Sequence, residues 1–206
     1  MCALLAKDAG GDFDQAPIGN HIAICYQVID LGFQEEVYQD QVKSVHKIFL
    51  AWELCSELME NGNPFSVNNF YTLSLSNKSN LRPMLESWRG KAFTESELEG
   101  FDLKNILGAP CMLNVIHKPR KKDNALRAVI GSVSPLVKGM TKPVMANEPL
   151  FYSIDDDVNG LVFNRLPEWL QKKINRTPAV VETARVDERN PPIADFIDDD
   201  LDSLPF

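Results

Sequence analysis

The sequence predicts a mainly β fold with some α, and three observations carry that expectation. Three runs rich in β-branched and aromatic residues lie between His21 and Leu75. Helical spacings and capping signals crowd into residues 79–108. Two further strand-like runs then flank a short basic turn at 118–124.

His21 to Gly32, HIAICYQVIDLG, has the composition of a long strand, and polar Gln34 to Val42 reads as a connection. The second strand, Val45 to Leu54, alternates clearly. His46, Ile48, Leu50, Trp52 and Leu54 share the core face, and Lys47, Phe49, Ala51 and Glu53 share the other. Asn61-Gly62-Asn63-Pro64 is a turn. The third strand, Phe65 to Leu75, places Val67, Asn69, Tyr71, Leu73 and Leu75 on its core face, which turns Phe70 outwards beside Phe49. Leu81, Met84, Leu85 and Trp88 then repeat at helical spacing after a capping Ser79, with Pro83 tolerated in the first turn. Thr94-Glu95-Ser96-Glu97 is a capping box, with Phe93 and Leu98 placed as its hydrophobic staple. Asp102 to Leu107 forms a short turn closed by Gly108. Strands at Cys111–His117 and Ala125–Val133 are joined by the basic loop Lys118 to Asn124.

Three strands, a helical connection and a two-strand hairpin is the order of the OB-fold. That fold is a five-stranded Greek-key barrel with its helical connection between strands 3 and 4, and its strands 2–3 and flanking loops bind oligonucleotides. The expected organisation is a flexible N-terminal arm (1–17), the barrel (18–142), an appendage (143–178), and a linker with a disordered acidic tail (179–206). In the appendage a short helix from Pro167 to Ile174 packs on the barrel through Trp169 and Leu170. No internal repeat is present.

The net charge of −8 is unevenly spread. Residues 1–16 hold three acids and one base, 179–192 three acids and two bases, and 193–206 five acids and no base. Subtraction leaves 18 acids and 18 bases for the body. Within that neutral body, Lys118, Arg120, Lys121, Lys122, Arg127, Lys138 and Lys142 face Asp123 alone across residues 118–142. The chain is dipolar, with a basic stretch fit for an anion and an acidic tail able to cover it. Cys2, Cys25, Cys55 and Cys111 form no C-x-x-C pair, and His21, His46 and His117 complete no ligand spacing. Reduced thiols in a cytoplasm and no structural metal are therefore expected. No apolar run approaches the ~20 residues of a membrane span, and the N-terminus makes a poor signal peptide.

Binding single strands without reading sequence requires a basic groove and aromatic faces. Phe49 and Phe70 are the expected stacking residues, with core packing as their alternative role. Lys47, Arg82, Arg89, Lys91, Arg127 and the run Lys118, Arg120, Lys121, Lys122 are the expected phosphate contacts. Enzyme chemistry finds little: no G-x-x-x-x-G-K-[ST], G-x-S-x-G or H-E-x-x-H is present. Asp155-Asp156-Asp157 could hold Mg²⁺ as in a metal-dependent nuclease, and a solvated turn explains it better. No catalytic residue and no cofactor are expected.

Cys25 to Gly32, Trp52-Glu53-Leu54, Tyr71 to Leu75, Leu85 to Lys91 and Gly100 to Leu103 carry a resemblance to phage and prophage single-stranded DNA-binding proteins, spanning roughly residues 18–175. The last fourteen residues carry Asp195, Asp198, Asp199, Asp200 and Asp202 and end in Leu204-Pro205-Phe206. This end is similar to the acidic tip of bacterial single-stranded DNA-binding proteins, which docks replication and repair enzymes. The resemblance implies a protein that coats and protects single-stranded DNA during phage replication and recombination in the bacterial cytoplasm. It also implies that Asp198, Asp199, Asp200, Asp202, Leu204, Pro205 and Phe206 dock partner enzymes. A homo-oligomer is compatible with it. A protein–protein adaptor without DNA binding is the first rival reading, and a metal-dependent nuclease the second.

Overall fold

In the computed structural model, which describes residues 15–38, 41–155 and 160–175, six strands share one sheet. They are β1 (Gly19–Tyr38), β2 (Gln41–Leu58), β3 (Pro64–Thr72), β4 (Pro110–Pro119), β5 (Leu126–Ser134) and β6 (Leu150–Tyr152). Five run antiparallel in the order β3-β2-β1-β4-β5, and β6 pairs parallel with β1. The fold is therefore mainly β, as the alternating runs predict.

The strand β1 organises the sheet because it bends. Register shifts at Cys25/Gln27 and Asp30/Gly32 break its ladder with β2, and Gly32 takes the left-handed φ of +68°. Bulges of this kind increase local twist and turn a strand. One edge of β1 pairs with β2 from Ala23 to Tyr38. Its other edge pairs with β4 over Gly19–Ile24, then with β6 over Gln27–Ile29. The sheet curls until its outer strands, β3 and β5, approach each other.

Inside the curl lies the first core: Cys25, Ile48, Leu50, Trp52, Val67 and Tyr71 from the strands. Helix α1 (Leu81–Arg89) adds Leu81, Leu85 and Trp88. Trp88 lies 5.7 Å from Trp52, centroid to centroid, and its indole N–H donates to the Pro110 carbonyl at 3.0 Å. The start of α1 is served by Ser79, whose hydroxyl accepts from the Leu81 N–H at 3.1 Å although Asn80 holds the capping position. Gly90 ends the helix at φ +68°, and the next N–H, of Lys91, returns to the Glu86 carbonyl. Helix α2 (Glu95–Glu99) opens on the expected capping box. Thr94 Oγ1 accepts from the Glu97 N–H, and the Glu97 carboxylate accepts from the Thr94 N–H.

A second core covers the opposite face of the same strands. Ile29, Leu31, Phe49, Ala51 and Phe70 pack beneath Leu150, Tyr152, Leu166, Leu170 and Ile174. The last two belong to α3 (Glu168–Asn175), the expected appendage helix. As a result β2 is buried on both faces from Lys47 to Leu54.

Three expectations change. Gln34 to Val42 is not a plain connection: β1 and β2 continue as a two-stranded ribbon, paired from Phe33↔His46 to Tyr38↔Gln41. Such a ribbon has no core face of its own, so it leaves no apolar alternation to read. Strand β3 stops at Thr72, where the Leu73 N–H turns to the His46 carbonyl. Residues 15–17 of the expected arm are tied down, since His117 Nε2 lies 2.8 Å from the Ala16 carbonyl and His21 Nε2 2.9 Å from that of Pro17. The expected linker and tail lie outside the described residues. Among the described residues no helix is long and apolar enough to cross a membrane.

Candidate nucleic-acid interface

The β4–β5 hairpin is the most basic element of the fold. Its turn is closed by the Arg120 N–H to the Ala125 carbonyl and the Asn124 N–H to the Arg120 carbonyl. Asn124 adopts φ +57°, a region that asparagine tolerates. Asp123 completes the turn: its carboxylate accepts from the Ala125 N–H at 3.0 Å and pairs with the Arg120 guanidinium at 2.9 Å. Asp123 thereby takes Arg120 and leaves Lys118, Lys121 and Lys122 exposed, with no carboxylate partner among the described residues. Lys118 stands opposite Arg127, which is partly buried. A bulge at Asn114/Val115 sets the hairpin's twist. Gly131 accommodates it, because a Cβ there would lie 2.5 Å from Asn114 Oδ1.

The other expected phosphate contacts are engaged with acids. The Lys47 ammonium is nearly buried and sits 2.5 Å from Glu36 across the ribbon. Arg82 pairs with Glu86 one turn along α1 and donates to Asn77 Oδ1. The Arg89 guanidinium pairs with Glu97 and lies over the Phe93 and Phe101 rings, 4.2 and 5.2 Å from their centroids. Lys91 is more exposed, 3.6 Å from the same Glu97.

Glu97 therefore joins α2 to α1. The Thr94 N–H first, then Arg89, hold its carboxyl well below the ordinary 4.5, at about 2, against an opposing effect of burial. Because the folded value lies below the unfolded one, this contribution is complete above about 4.5 and is lost as pH falls towards 2. Thermal melts of wild type and Glu97→Gln should differ at neutral pH and converge across that window. A difference that persists at the acid end would mean that the carboxylate is not the stabilising species.

The expected stacking residues require a correction. Phe49 and Phe70 do share a face, with centroids 5.3 Å apart, so the alternation is right. That face is covered, leaving Phe49 2% and Phe70 8% exposed. Trp169 meets Phe49 edge-on at 5.4 Å, and the Lys173 ammonium lies 4.6 Å from the Phe70 ring. As folded, neither phenylalanine offers a surface to a base. Glu53, on the same face, is fully buried. Its carboxylate accepts from the Ala146 N–H at 2.7 Å, the Asn147 N–H at 2.8 Å and the Asn147 side chain at 2.7 Å. These bonds seat the segment before β6 on the back of β2.

The residues of α3 were not among the expected site residues, and helical spacing in its sequence identifies a packing stripe without saying which face it covers. The expected docking residues Asp198, Asp199, Asp200, Asp202, Leu204, Pro205 and Phe206 lie outside the described residues, as do Asp156 and Asp157. Among the described residues no group of three or more His, Cys, Asp or Glu is arranged to hold a metal ion. Comparison with protein families finds no family that matches the chain, and no curated protein matches it.

Proposed function

We propose that this chain is a single-stranded DNA-binding protein of the phage type, built on an OB-fold barrel. It coats single strands during replication and recombination and recruits enzymes through its acidic tip; it is not an enzyme. The observation that carries this reading is the β4–β5 hairpin, where three exposed lysines stand without a carboxylate partner among the described residues, beside a turn that Asp123 has closed. The strand order, the helical connection between β3 and β4, and the approach of β3 to β5 support the barrel.

Retention of labelled oligo-dT on nitrocellulose, measured across a salt series, tests the reading. If Lys118, Lys121 and Lys122 each meet one phosphate, changing all three to alanine should flatten the log-log salt slope by about 2, at ~0.7 per contact on single strands. An unchanged slope would take the hairpin off the DNA path. Absence of salt-sensitive retention in the wild type would favour a second reading, a protein–protein adaptor. The covered β2–β3 face speaks for that alternative, because the aromatic platform expected there is closed.

A further inference from the structure

We propose that α3 carries the stacking residue of the interface, Trp169, with Lys172 and Lys173 as phosphate contacts; this rests on the single-stranded DNA reading above. The back of β2–β3, where an OB-fold binds oligonucleotides, is the face that α3 covers. A DNA strand crossing there meets the helix rather than Phe49 or Phe70.

The helix brings the required chemistry with it. Leu170 and Ile174 form its buried stripe. Trp169, Lys172 and Lys173 stand at i, i+3 and i+4, so ring and ammonium groups are neighbours on the helix surface. Trp169 is partly exposed, and its T-shaped contact with Phe49 leaves at least one indole face clear of that ring. The Lys172 ammonium pairs with Glu168 at 2.6 Å, with both side chains largely in solvent. Such pairs contribute little, so a phosphate can replace the carboxylate. Lys173 is held over Phe70 by its ring contact.

The helix lies over the sheet on the side of the ribbon, where the Gln34 amide donates to the Lys173 carbonyl at 3.3 Å. The β4–β5 hairpin projects past the start of β1, since Gly19 already pairs with Val115. The ribbon projects past the other end of the β1 pairing with β4 and β6, from Phe33 onwards. A single strand running from the lysine hairpin across the sheet to the base of the ribbon meets the helix.

Tryptophan emission tests this directly, because the chain has three tryptophans and the other two, Trp52 and Trp88, are 0% and 5% exposed. Titrating the full chain with oligo-dT should quench emission in step with filter retention. Trp169→Phe should remove most of the quenching and keep affinity within a few-fold, while Trp169→Ala should weaken binding about tenfold, the range of one lost stack. Replacing Lys172 and Lys173 by alanine should flatten the salt slope by about 1.4. Retention without quenching would overturn the proposal, as would tighter binding by Trp169→Ala, which would make α3 a lid. If the wild type shows no retention at all, the proposal falls together with the function it rests on.

Discussion

Phe49→Ala should lower the free energy of unfolding by about 3–5 kcal/mol, the usual cost of emptying a fully buried aromatic site. The ring is 2% exposed between Phe70 and Trp169, at the centre of the second core. Removing it undercuts α3 from below and leaves a space that neighbouring rings fill only in part. Urea unfolding followed by circular dichroism measures the loss, and Phe70→Ala should fall in the same direction. An unchanged midpoint for Phe49→Ala would mean that the face is open in solution and that α3 does not rest on it. The outcome also reports on function, because an exposed stacking residue would lose DNA affinity and keep its melting temperature.

Glu53→Ala should be almost as damaging, lowering stability by about 3 kcal/mol. The substitution removes the acceptor for two backbone N–H groups and the Asn147 amide, and it empties a fully buried side-chain site. Glu53→Gln keeps one carbonyl acceptor but brings its own N–H2 towards those donors, so it should fall between wild type and alanine. Hydrogen exchange in the two variants should rise first at Ala146 and Asn147. Wild-type stability in Glu53→Ala would show that the segment before β6 is held by something other than this carboxylate.

These two residues also show where the sequence could be read and where it could not. The alternation in β2 places Phe49, Ala51 and Glu53 on one face correctly, because side-chain direction along a strand is a local property. What lies against that face is not local. Glu53 and Lys47 have the look of solvent markers, yet Glu53 binds backbone some ninety residues away and Lys47 is matched by Glu36 across the ribbon. The Thr94–Glu97 capping box was legible because both partners sit within four residues. The lysines of the β4–β5 turn were legible for the same reason. Even there, the local reading did not separate Arg120, which Asp123 takes up, from its three neighbours.

The long strand β1 has a consequence for how the chain is made. Residues 27–29 wait for an edge partner until Leu150–Tyr152 have left the ribosome, with more than a hundred residues between them. Through that interval a nascent chain carries an unpaired strand edge, and Ile29, Leu31, Phe49 and Phe70 lack the helix that will cover them. Unpaired edges beside apolar surface are where newly made chains associate with one another. The same logic governs trimming. A fragment ended at residue 142, after the last strand of the five-strand path, would keep that edge and that surface permanently bare. A fragment that keeps this edge paired and this surface covered must extend through α3, to Asn175.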